Sequence, residues 1–85
     1  MKNDNVLKYK DEFVALGLKI GYIRRMRGMT QEQLADKAGI SAGFLSQVEA
    51  PNMAVGISLA TLFSLAEALD VPASKLLEAD SIDNR

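Results

Sequence analysis

The sequence predicts an all-α domain of five helices. Three observations carry that prediction. Apolar residues recur at helical spacing in successive segments, each segment is bounded by capping or terminating residues, and no stretch alternates with period two over a useful length. With 85 residues, 48% of them hydrophobic, the chain suffices for one core shared among several short helices and is too small for two domains.

Phe13, Leu16, Ile20 and Ile23 mark the first helix, from Asp11 to Arg27. Asp11 and Glu12 at its start and arginines at its end suit the helix macrodipole, and Gly28 terminates it. Gly17 and Gly21 lie inside this helix, each costing about 1 kcal/mol relative to Ala, which points to close crossing by another element. Thr30 and Gln33 form a T-x-x-Q capping box that opens a second helix through Leu34, Ala35 and Ala38, ended by Gly39. Ser41 is the next N-cap, and Phe44, Leu45 and Val48 give the third helix a one-sided apolar stripe as far as Glu49. Pro51 and Asn52 prevent its continuation.

Ser58 caps a fourth helix, where Leu59, Leu62, Phe63, Leu65, Ala66 and Leu69 make the strongest amphipathic pattern of the chain. Pro72 opens a short fifth helix carrying Leu76 and Leu77. The domain is thus expected over residues 11–78, between an N-terminal extension (1–10) and a flexible C-terminal tail (79–85).

The chain has no cysteine and no histidine, so disulfides, thiolate metal sites and histidine-based acid-base chemistry are unavailable. No base stands ready to activate the serines, and no Gly-rich phosphate loop follows a strand. No catalytic residue, metal, cofactor or small-molecule ligand is expected. The first ten residues are polar and charged, unlike a signal peptide or spanning segment, so the expectation is a cytoplasmic protein with no membrane partner.

The net charge of −1 conceals an asymmetry: residues 1–27 carry +4, residues 28–49 carry −2 and residues 50–85 carry −3. Within residues 28–49 lies a corner of small residues. Two short helices joined around a glycine can cross steeply when their facing residues are small and the turn admits positive φ. Ala35, Ala38 and Gly39 meet that condition, with Ile40, Leu45 and Val48 plugging the corner from the core side. On spacing alone, an ordinary helical hairpin fits as well.

The whole stretch TQEQLADKAGISAGFLSQVE, however, closely resembles the helix-turn-helix of the Cro and phage-repressor type, the Xre family of bacterial regulators. Gln31 stands where that family opens its second helix with Gln, Ala35 lies four residues on, Gly39 sits at the turn, and Leu45 and Val48 follow. The resemblance extends over roughly residues 14–78, including ISLATLFSLAEALDVPASKLL. It implies a five-helix lambda-repressor-like DNA-binding domain with its helix-turn-helix at about residues 30–49. The implied function is a sequence-specific transcriptional regulator, a repressor binding double-stranded DNA at an inverted repeat as a homodimer.

The resemblance also implies roles for particular residues. Arg24 and Glu49 occupy the places of a structural salt bridge. The third helix would enter the major groove with Ser41, Ala42, Gly43, Ser46 and Gln47 facing the bases. Gln47, with both donor and acceptor, is the best candidate for a base contact, bidentate to adenine. Ser41 and Ser46 can bond a base or a phosphate, while the smallness of Ala42 and Gly43 favours close approach. Phe44 reads first as packing and second as a contact with sugar or a thymine methyl.

Gln31 and Thr30 would clamp the DNA backbone at a helix N-terminus, with Arg25, Arg27 and Lys37 as nearby cations. The loop PNMAVGIS departs from the many relatives that carry Lys or Arg there, leaving Asn52 as its only long polar side chain. Few counterions would then be released, giving modest nonspecific affinity and a shallow salt dependence. Leu69, Val71, Leu76 and Leu77 are the residues available for a dimer interface; all four also fit the core, and Leu69 fits it better. The alternative is a protein-interaction or antitoxin module of the same fold, docking through its acidic C-terminal half with DNA binding secondary or absent.

Overall fold

The computed structural model of the chain describes residues 5–78, and across them the fold is all-α, with six helices among the described residues. In order they are α1 (Asn5–Lys8), α2 (Lys10–Met26), α3 (Gln31–Ala38), α4 (Ala42–Glu49), α5 (Leu59–Leu69) and α6 (Ala73–Leu77). Five helices were expected, and α1 is the addition. It is one turn within the stretch read as an extension, set off from α2 by Tyr9 at φ −111°, ψ 37°. Val6 anchors it: a Cβ on Gly56 would stand only 2.7 Å from Val6 Cγ2, next to the Phe13 ring, so the missing side chain at Gly56 makes the room. Residues 1–4 and the flexible tail expected at 79–85 lie outside the described residues.

Local signals set the helix ends. Thr30 Oγ1 accepts from the Gln33 N–H at 3.0 Å, and Gln33 Oε1 accepts from the Thr30 N–H at 2.8 Å, completing the reciprocal box. Ser41 and Ser58 each accept the N–H three residues on, both at 3.0 Å. Gly28 and Gly39 adopt positive φ of 72° and 75°, which turns the chain so that Met29 N–H reaches Arg24 O and Ile40 N–H reaches Ala35 O. Asp70, at φ 60°, ends α5 in the same left-handed conformation, which a short polar side chain tolerates better than most.

One core joins α2 through α6. Ile20, Leu34, Leu45, Leu65, Leu69 and Leu76 are fully buried in it, so every one of these helices contributes at least one side chain. The α3 helix packs on both α4 and α5, while α2 lies against α4, α5 and α6. The apolar face expected for α5 needs correction: Leu62, Leu65, Ala66 and Leu69 point inward, but Leu59 and Phe63 are more than half exposed, one turn apart on the outer side. No helix among the described residues is long and apolar enough to cross a membrane.

The glycines of α2 mark the crossing of α4. A Cβ at Gly17 would overlap the carbonyl oxygen of Val48, and one at Gly21 would sit 3.1 Å from Glu49 Oε1. Backbone therefore lies directly on backbone where the last turn of α4 meets α2, and no flexible side chain is present at Gly17 to yield. Gly17→Ala is expected to destabilise the fold by about 1–3 kcal/mol through overpacking. In thermal denaturation this lowers Tm by roughly 4–8 °C per kcal/mol for a domain of this size, and a variant melting together with the wild type would contradict the crossing.

Candidate nucleic-acid interface

The corner between α3 and α4 gives α4 one buried and one open side. Leu45, Val48 and Glu49 are buried, Ala42 and Phe44 pack half-buried against the core, and Ser41, Gly43, Ser46 and Gln47 are exposed. Gly43, Ser46 and Gln47 follow one another at i, i+3 and i+4, so they share a helix face. Phe44 takes the packing position, the first of the two readings given to it. The open face of α4 is therefore small and polar, with Gln47 its one long side chain.

A buried polar network ties this helix to its neighbours. Arg24 Nε donates to Glu49 Oε2 at 2.8 Å and Arg24 Nη2 to Glu49 Oε1 at 2.9 Å, a bidentate pair in which both residues are less than a tenth exposed. Arg24 Nη1 reaches the Met29 carbonyl at 2.7 Å, holding the turn that precedes α3. Gln31 Nε2 donates to Glu49 Oε1 at 3.0 Å. No buried side-chain nitrogen or oxygen among the described residues lacks a partner, so the network meets the demand that desolvation places on it. Sequence reasoning left the Gln31 amide wholly to DNA, whereas one of its N–H groups is committed within the protein.

Thr30 is exposed and Gln31 half-buried at the start of α3. Since the capping box occupies the N–H groups of Thr30 and Gln33, those of Gln31 and Glu32 are the backbone donors left at that end. Arg25 is exposed beside the network, its Nη1 lying 3.3 Å from the point where a Gly21 Cβ would stand. Lys37 is exposed in the last turn of α3, where its charge complements the helix dipole. Arg27 is placed differently: its Nη2 donates to the Asp70 carbonyl at 3.2 Å, closing the end of α2 onto the C-cap of α5. Asn52 is exposed and shares a shallow groove of about 300 Å³ with Lys10, Asp11 and Leu18. Lys10 thus lies by the cation-free loop, a neighbour that sequence reasoning missed because nothing local connects the two segments.

The proposed dimer residues divide. Leu69 and Leu76 are 0% and 2% exposed in a single chain, so their assignment to an interface is corrected: each fills the core and has no surface to offer a second copy. Val71 is half-buried and Leu77 is 61% exposed.

Removing one partner of the buried pair leaves the other charge without compensation. Arg24→Ala is expected to cost about 3–5 kcal/mol, measured as a fall in denaturant midpoint with the slope unchanged. Unaltered stability would show that the pair does not brace α4 against α2.

A helix-turn-helix family model matches residues 20–76 of the chain. No curated protein matches it. Among solved structures, it is similar to the restriction-modification controller protein C.AhdI from Aeromonas hydrophila, with 29% identity and a TM-score of 0.72 over 78% of this chain and 97% of that one. The matched residues contain the whole of α3, the Gly39 corner, α4 and all of the buried network of Arg24, Met29, Gln31 and Glu49. A braced corner with a small, polar outer face is what a helix needs to lie in a DNA groove, and this chain belongs to the helix-turn-helix family of Xre and Cro type, a family of DNA-binding transcriptional regulators.

Proposed function

We propose that the protein represses transcription by binding an inverted-repeat operator as a homodimer, with α4 of each copy in the major groove. The observation that carries this reading is the outward row of Gly43, Ser46 and Gln47 on a helix whose opposite side is locked into the core. Gln47 reads a base, most naturally adenine through its paired donor and acceptor. Ser41 and Ser46 add single hydrogen bonds to base or phosphate, and Ala42 and Gly43 leave space for close approach. Thr30 and Gln31 at the start of α3, with Arg25, Lys37, Asn52 and Lys10, contact the phosphates and set the register. Arg27, tied to Asp70, contributes charge more than contact.

Leu77 and Val71, together with the exposed Leu59 and Phe63, supply the apolar surface for the second copy. The likeness to C.AhdI supports control of a restriction-modification operon as the first context to examine. The protein works in the cytoplasm and has no catalytic activity, in keeping with a chain without cysteine or histidine. Leu59 and Phe63 lie in the acidic half, which gives the protein-interaction or antitoxin reading its own support.

Selection of bound sites from random duplexes, followed by titration at low and moderate salt, separates the two readings. Paired half-sites and a salt-sensitive complex support the repressor, and a chain that enriches no sequence and forms no salt-sensitive complex refutes it. On the selected site, Gln47→Ala is expected to lose about 1–3 kcal/mol of discrimination at one position per half-site. Nonspecific binding should change little, and a uniform loss across all sequences would contradict base readout.

Gly43 separates stability from binding. A Cβ there meets nothing within 4 Å, so Gly43→Ala should raise stability by up to about 1 kcal/mol through helix propensity. The same methyl projects from the groove-facing surface and should weaken DNA binding several-fold. Calorimetry and a binding titration on one preparation read both, and a stabilised variant with undiminished affinity would show that α4 does not approach DNA closely at Gly43.

A further inference from the structure

Glu49 is an unexpected residue for its place. It is the last residue of α4, where the negative end of the helix dipole disfavours a carboxylate, and it is almost fully buried. The bidentate fork of Arg24 compensates the charge. That fork satisfies the ion pair without help, yet Glu49 Oε1 takes a third donor, Gln31 Nε2, from the first residue of α3.

We infer that Glu49 is a positioning residue for the DNA-backbone contact of Gln31, so that the buried pair governs DNA affinity as well as stability. The inference rests on the phosphate role proposed above for Gln31. A free glutamine amide presents its oxygen or its nitrogen with little preference, and only the nitrogen can donate to a phosphate. Two oxygens do not face each other across a hydrogen bond, so the Glu49 carboxylate selects the orientation with Nε2 toward itself. One N–H is then held by Glu49, and the planar amide fixes the other away from the carboxylate as a donor. Arg24 cancels the negative charge that would otherwise oppose an approaching phosphate. Gly21 leaves the space, since a Cβ there would come within 3.1 Å of Glu49 Oε1. The orienting cost is thus met in the free protein rather than on binding.

A double-mutant cycle on DNA affinity tests this, using a mixed-sequence duplex at low salt, because a phosphate contact needs no operator. Glu49→Gln keeps the shape but has one acceptor, which Arg24 takes, and turns an N–H toward Gln31, reversing its amide. Gln31→Ala and Glu49→Gln should each weaken binding about tenfold, roughly 1.4 kcal/mol, and the double variant little more than either alone. Losses that multiply to about a hundredfold, with circular dichroism showing folded protein throughout, overturn the inference and leave the DNA reading intact. A wild-type chain that binds no duplex overturns the DNA reading and the inference with it.

Should Glu49→Gln fail to fold, NMR of the wild-type chain decides. One side-chain amide proton of Gln31 should be protected in the free protein, and the second should shift when duplex is added. Two Gln31 protons that exchange as fast as those of the exposed Gln47, or a second proton unmoved by bound duplex, overturn it.

Discussion

The pairing of Arg24 with Glu49 is the constraint on which the placement of α4 and of the start of α3 depends. It joins a residue near the exit of α2 to the last residue of α4, and its third arm to Met29 fixes the turn into α3. Three elements therefore share one buried charge cluster. Such a cluster contributes little net energy relative to a well-packed apolar one, because desolvation offsets most of the attraction. Its distinctive effect is directional: the bidentate fork requires the carboxylate in the guanidinium plane at hydrogen-bond distance, whereas apolar contacts between α2 and α4 would tolerate sliding.

Close packing makes that direction usable. At Gly17 the backbone of α4 rests on α2, and at Gly21 the Glu49 carboxylate lies against bare backbone. Two glycines inside a helix sacrifice propensity, and the gain is that α4 sits low against α2 at its C-terminal end. At the other end, Gly39 in the left-handed conformation and the Ser41 cap begin α4 directly after a tight corner. A helix held at both ends, with its core side filled by Leu45 and Val48, can offer its remaining face to solvent without needing side chains there for stability. That freedom is why Gly43, Ser46 and Gln47 can be chosen for what they meet outside the protein.

Charge follows the same division of labour. The basic excess lies in residues 1–27, yet its members differ in where the fold takes them. Arg24 is consumed inside, Arg27 is drawn to the end of α5, and Arg25 remains outside beside Gly21 of α2. Lys10 comes to the loop after α4, which has no cation of its own. A count of charges along the chain therefore overstates the number available to a polyanion and misplaces one of them.

The sequence by itself determined α2 to α6, with ends within about a residue of those observed, because those signals act over a few residues. The Thr30–Gln33 box, the Ser41 and Ser58 caps and the positive-φ glycines at 28 and 39 were all legible. So were the all-α class and, through its resemblance, the helix-turn-helix family. Only the tertiary structure decided which apolar residues face inward: Leu69 and Leu76 fill the core, while Leu59, Phe63 and Leu77 stay outside. It also decided that Val6 would seat a helix against Gly56, and that Gln31 would lend half of its amide to Glu49. Those outcomes depend on how helices far apart in the chain cross, and helical periodicity names an apolar stripe without saying which neighbour, if any, will cover it.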